Sequence, residues 1–155
     1  MSLKQNIKNS EGFVDHIYLC TEGYPTVGFG FRVDCLSPDE LACNNGVPEP
    51  MPIENADKIL DIKIRKLINS VNKRLPWLES KPIELQEVVY EMGYQLGIPG
   101  LMSFKNTLRF MEIGNYYQAS QNMLQSKWFK QTPTRVRRLS NIVAGLSSIN
   151  NSWKM

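Results

Sequence analysis

Within "SEGFVDHIYLCTEGYPTVGFG", residues 10–30, stand a glutamate before a glycine, a lone cysteine, and a threonine ahead of a Gly-x-Gly. Eight residues separate Glu11 from Cys20, and five separate Cys20 from Thr26. No metal-ligand spacing, phosphate loop or Ser/His/Asp order accounts for the set. A carboxyl group opposed by polar groups across a cleft suits glycosidic bond cleavage. There a protonated carboxyl donates to the leaving oxygen while a second group on the other face activates water or attacks carbon. Each residue also has a plainer use. Glu11 serves as a solvated helix-end carboxylate, Cys20 as a small buried apolar side chain, and Thr26 as an ordinary strand residue. His16, the only histidine, stands four residues before Cys20 and raises a Cys–His thiol dyad. On one strand the two would lie about 13 Å apart, at a rise of ~3.3 Å per residue, which favours an exposed strand histidine.

Elements must position these side chains. Residues 3–11 read as a short helix with Leu3 and Ile7 on one face and Gly12 as its stop. Residues 13–33 mix aromatic and β-branched residues with glycine, and "TEGY" is a turn, so a small antiparallel sheet is expected. "SPDELACNNG" reads as a helix in which Ser37 caps, Pro38 takes the first position, Glu40 closes a capping box and Gly46 ends it. "VPEPMP" is a stiff extended link. Ala56, Leu60, Ile64, Leu67, Ile68, Val71 and Leu75 then keep a helical stripe until Pro76. Helical segments are expected near 82–96, 104–112, 115–124, 126–130 and 133–145. The class is α+β, one domain of two lobes. Residues 12–55 form a small β-containing lobe, 56–75 a bridging helix, and 1–11 with 76–155 a helical lobe. The first helix is expected to pack back onto the helical lobe, so that Glu11 faces Cys20 and Thr26 across the junction.

An apolar share of 42% with 21% charged residues suits a soluble globular domain with a core of its own. Net charge +3 favours an anionic polymer as partner without demanding nucleic acid. Cys20, Cys35 and Cys43 are no disulfide framework and are expected as free thiols. Residues 1–9 show no signal peptide, and the uncharged run from Leu139 to Trp153 is too polar to span a bilayer. Lys130, Arg135, Arg137 and Arg138 form a basic cluster without a recognition-helix or RNA-binding signature, so a solvated basic face is expected. Trp77, Trp128 and Trp153 read as packing anchors rather than sugar platforms.

The pattern from Glu11 to Gly30 resembles the active-site segment of the T-even phage lysozyme (muramidase) family of glycoside hydrolases, with Glu, eight residues, Asp or Cys, five residues, Thr. "YEMGYQLGIPGLMSFKNTLRFME" and "NMLQSKWFKQTPTRVRR" are similar to two further blocks of that family, in order and at the expected separations. The resemblance implies cleavage of the β-1,4 link between N-acetylmuramic acid and N-acetylglucosamine in peptidoglycan, by a monomer without metal or cofactor. It implies that Glu11 is the general acid, that Cys20 stands where many members have aspartate, and that Thr26 orients the attacking water. Arg135 would pair with Glu11. Gly30, Met92–Gly93, Ser103, Phe104 and Asn122 would shape the cleft, and Glu22 with Lys127 would reach across it. Synthesis in the host cytoplasm and access to the wall through a holin-type lesion follow from the same likeness.

Three departures qualify it. A thiol near its reference pKa of about 8.5 is mostly neutral at pH 7, unlike an aspartate, so Cys20 is open as base, positioner or nucleophile. Phe31 stands where the T-even enzyme has a histidine. Glu91 replaces a glutamine before Met–Gly and would act on Glu11 as a like charge if it faced the cleft. Two other readings are a catalytically impaired peptidoglycan-binding module of the same fold and a basic nucleic-acid-binding domain.

Overall fold

Ser2 accepts the amide of Gln5 at 3.2 Å, and Gly12, at φ +71°, returns its N–H to the Lys8 carbonyl at 3.0 Å. These two ends define α1 (Leu3–Glu11), with Ile7 fully buried, as the sequence predicts. The computed structural model describes residues 2–152, with side chains to Ser147, so Trp153 lies outside the described residues. The chain is α+β and divides into two compact units, Met1–Ile68 and Asn69–Met155.

In the first unit a three-stranded antiparallel sheet follows α1, with β1 (Val14–Leu19), β2 (Pro25–Gly28) and β3 (Phe31–Arg32) in sequential order. Tyr18 pairs with Thr26, and Thr26 with Arg32, so these three share a face. Val27 and Phe31 pair on the opposite face and are buried. Phe31, in the histidine position of the resemblance, is thus a core residue, edge-on to Phe29 at 6.3 Å.

α2 (Pro38–Ala42) carries the expected capping box, in which the Ser37 amide donates to Glu40 Oε1 at 3.0 Å. Glu40 is also buried and paired at 3.2 Å with Lys63 of α3 (Ile53–Arg74). α3 begins three residues ahead of the expected start, because the Pro52 carbonyl already accepts the amides of Asn55 and Ala56 at 3.0 Å. A proline suits that position, so the extended link flows directly into the helix. Lys4 of α1 bridges Asp57 and Asp61 of α3 at 2.7 Å, and Lys8 also pairs with Asp57. α1 is therefore held within the first unit.

The second unit holds α4 (Ile83–Met102), α5 (Lys105–Glu112), α6 (Tyr116–Leu124), α7 (Lys127–Gln131) and α8 (Pro133–Ser152). Gly97, at φ +75°, breaks α4 where the sequence predicts a stop, but the helix resumes to Met102. α8 continues seven residues past the expected end at Gly145. Its buried stripe of Val136, Leu139, Val143 and Leu146 runs through that glycine, and the face outweighs a cost of about 1 kcal/mol for one glycine. Among the described residues no helix is long and apolar enough to cross a membrane.

Several carboxylates tie the first unit together and set its acid sensitivity. The Ser37 hydroxyl and Lys66 hold Asp39 down to about 2, and hydrogen bonds from Lys4 and Lys8 hold Asp57 below its ordinary 3.8. Burial alone would raise Glu40, but the Ser37 amide and Lys63 outweigh it and keep the carboxyl below 4.5. A depressed carboxylate stabilises the fold fully above its unfolded pKa and ceases to do so as pH falls through its folded one. The melting temperature, followed by circular dichroism, is therefore expected to drop between about pH 4.5 and pH 2. Lys66→Met is expected to flatten that drop; an unchanged slope would detach Asp39 and Glu40 from it.

Candidate active site

Glu11 closes α1, and its position is set from outside the helix by Gly30. At φ +74° Gly30 sits where L side chains are rare, and a Cβ built there would lie 3.1 Å from Glu11 Cδ and closer still to Oε1. The carboxyl group occupies the volume that any other residue at position 30 would fill. Gly30→Ala would place a non-glycine residue at positive φ and push the carboxyl aside. A loss of about 1–3 kcal/mol is expected from the backbone. If the Glu11 carboxyl takes part in turnover, its displacement is expected to cost at least about 10²-fold, more than lost stability alone explains. Denaturant unfolding beside an activity assay separates the two, and wild-type turnover at full folding would remove Gly30 from the site.

Cys20 directly follows β1 and pairs with Tyr24 across a hairpin loop of three residues. Its N–H donates to the Tyr24 carbonyl at 3.0 Å, and Gly23, at φ +86°, donates to the Cys20 carbonyl at 2.8 Å. The Tyr24 amide, then the Glu22 amide and the Thr26 hydroxyl, hold the half-buried thiol below its ordinary 9.0, while burial and the Glu22 charge oppose them. The hairpin thus brings Cys20 and Thr26 together. Thr26 is buried, and its hydroxyl also reaches the Tyr24 carbonyl at 2.8 Å. One hydroxyl proton cannot serve both partners, so Thr26 donates to one or the other. Alkylation of Cys20, followed by peptide mass spectrometry across pH, is expected to show a midpoint below that of a cysteine in a short unstructured peptide measured alongside. Thr26→Val is expected to move that midpoint upward; no movement would deny Thr26 a part in holding the thiolate.

Tyr18 carries no role in the sequence pattern, yet it links these residues. Burial raises its phenol, and the charges of Glu11 and Cys20 raise it further, so both groups act on one sheet face. On that face Arg32 lies 3.8 Å over the Tyr24 ring and bonds Asp34 at 3.0 Å. His16 does not serve Cys20. It is exposed, with Nδ1 2.9 Å from Asp15.

In the second unit Ser103 and Phe104 line an open depression of about 380 Å³ with Asn106, Thr107, Asn122 and Ser126. Phe104 meets the buried Trp128 edge-on at 5.6 Å, and Trp128 donates to Gln95 Oε1 at 2.9 Å, so this tryptophan is a packing anchor. Of the basic cluster expected as a solvated face, Lys130 and Arg137 are exposed, whereas Arg135 and Arg138 turn to a buried carboxylate. Arg135 donates from Nε to Glu91 Oε2 at 2.9 Å, Arg138 pairs with the same oxygen, and Arg137 lies 5.1 Å from the Phe129 ring. Glu91 is buried, a second carboxylate held by two cations within this unit. The exposed Glu22 lies in the hairpin loop of the first unit, and Lys127 opens α7 in the second. Apart from a polar replacement before Met–Gly, nothing in the sequence signalled the Glu91 cluster, because i to i+44 pairing leaves no local pattern.

No family model matches the chain. It is 25% identical over 158 residues to "Pre-baseplate central spike protein Gp5" of Enterobacteria phage T4, covering 92% of this chain and 28% of that protein. It is 23% identical over 158 residues to "Probable T4-type lysozyme 1" of Dictyostelium discoideum, covering 92% of this chain and 93% of that one. The chain thus spans little more than a quarter of the first relative and nearly all of the second.

Proposed function

The chain is related to T4-type lysozymes, and from that premise we propose that it is a peptidoglycan hydrolase cutting the β-1,4 bond between N-acetylmuramic acid and N-acetylglucosamine. The observation that carries the reading is the Glu11 carboxyl seated against Gly30, with its charge felt on the sheet face that bears Cys20 and Thr26. Protonated Glu11 donates to the bridging oxygen as the bond to the anomeric carbon breaks. Water adds to that carbon, oriented by Thr26, and its proton passes to the Cys20 thiolate or to solvent. Arg135 supports the charge state of Glu11, while Ser103, Phe104 and Asn122 hold the glycan. The protein works as a monomer on the wall, without cofactor, reaching it through a holin-type lesion.

A second reading, a wall-binding module without turnover, draws on the replacement of aspartate by Cys20. Mass spectrometry of soluble products from purified peptidoglycan, treated with wild type and with Glu11→Gln, separates the two. Reducing muramic-acid ends are expected from wild type, and at least about 10²-fold less from Glu11→Gln at nearly unchanged stability. Binding without any product would favour the module. Equal turnover by both proteins would mean that Glu11 is not the acid, and released stem peptides would point to thiol chemistry at Cys20.

A further inference from the structure

Between Lys8 and Lys58 the chain carries a single lysine or arginine, Arg32, against carboxylates that include Glu11, Asp15 and Glu22. The sheet therefore has one cation, and the strands decide where it stands. Arg32 pairs with Thr26 and Thr26 with Tyr18, so Arg32 lies on the face where the charge of Glu11 is felt. Two strand spacings, about 10 Å, separate the main chains of Tyr18 and Arg32.

The guanidinium is held in place from two sides. Its Cζ lies 3.8 Å from the centre of the Tyr24 ring, and Nη2 donates to Asp34 at 3.0 Å. Tyr24 stands two residues before Thr26, diagonal to Arg32 across β2, so the arginine leans along the sheet towards the hairpin loop. A guanidinium steadied in this way loses less freedom when it meets a ligand. It is not used up by these contacts. The Arg32 side chain is 43% exposed and Tyr24 40%, and one bond at Nη2 engages only part of the N–H fork. Such a fork fits a carboxylate, which it meets with two parallel hydrogen bonds.

We infer that Arg32 selects the substrate: its guanidinium, stacked on Tyr24 and steadied by Asp34, takes a carboxylate of the peptide stem borne by N-acetylmuramic acid. The inference deepens the proposed function and rests on it for the identity of the glycan, while its geometry lies wholly within the first unit. In peptidoglycan the stem branches from the sugar next to the bond to be cut, within reach of a cation one strand beyond Thr26. Asp34 and the exposed Glu22 would repel the same carboxylate, so the face admits an anionic stem only while Arg32 is present.

The test compares soluble glycan chains whose stem carboxylates are free with the same chains after amidation. Wild type is expected to favour the free form about fivefold, in binding and in kcat/KM. In Arg32→Gln that ratio is expected to fall to about one or below. Lys58→Gln, which removes an equal charge from α3, is expected to keep the wild-type ratio. Arg32 and Lys58 are both exposed, so neither substitution disturbs the core. A preference that survives in Arg32→Gln, or that Lys58→Gln loses equally, would overturn the inference. Equal cleavage of both forms by the wild type would also overturn it and leave the proposed function standing. Wild type that cleaves neither form, yet binds the free one more tightly through Arg32, would keep the carboxylate site and sink the hydrolase.

Discussion

The Glu11 carboxyl lies where a Cβ at position 30 would stand, and this exclusion fixes the turn between β2 and β3. The chain must turn there with positive φ between β2 and β3, and α1 must end so that Glu11 reaches the turn. Gly12 provides the end of α1. The opposite side of the sheet is then committed to burial, with Val27 and Phe31 beneath it. A histidine at position 31 would have to be buried in the same place, so the aromatic core residue and the missing histidine are one fact. Tyr18 and Thr26 share the other face by strand alternation, with Thr26 buried and Tyr18 half-buried.

Each unit also contains a buried carboxylate, and the two are resolved differently. Glu40 caps α2 through the Ser37 amide and meets Lys63 and Lys66, so its burial serves local structure and joins two helices close in sequence. Glu91 has no capping duty. Its partners are arginines on α8, and planar guanidiniums are more weakly hydrated than ammonium groups and suit such a dry pairing. A buried ion pair is weak evidence for stability, since apolar side chains of similar volume often do as well. Its presence where a neutral amide is the expected residue therefore asks for a reason other than stability.

Local rules made much of this legible in advance. The limits of α1, the Ser37–Glu40 capping box, the "TEGY" turn and the α8 start at Pro133 all follow from caps, prolines and glycines acting within a few residues. The same rules misjudge Gly145, where an apolar stripe outlasts one glycine, and the start of α3, where Pro52 begins a helix instead of continuing an extended link. Among the candidate site residues, Glu11, Cys20 and Thr26 are marked by their spacing along one continuous segment, from the end of α1 through the β1–β2 hairpin. Gly30 was marked, but its steric reason was not, since it depends on where Glu11 lands. Tyr18 carried no functional reading, and Glu91 was read only as a like charge towards Glu11; its pairing with Arg135 and Arg138 depends on side chains that folding brings to it.

Cys20 shows how far residue identity alone can mislead about charge. An aspartate at the end of β1 would be ionised at neutral pH whatever the turn did, whereas a thiol is not. The hairpin loop changes that comparison. Its three-residue length, fixed by Gly23, aims the Tyr24 and Glu22 amides at position 20, and the register of β2 adds the Thr26 hydroxyl. Amide dipoles held by backbone geometry need no reorganisation as negative charge appears, and they stabilise a thiolate as they would a carboxylate. The larger and softer sulfur gains from the same donors, although burial and the Glu22 carboxylate work against it. The lowering of the Cys20 pKa therefore belongs to the turn and not to the side chain alone.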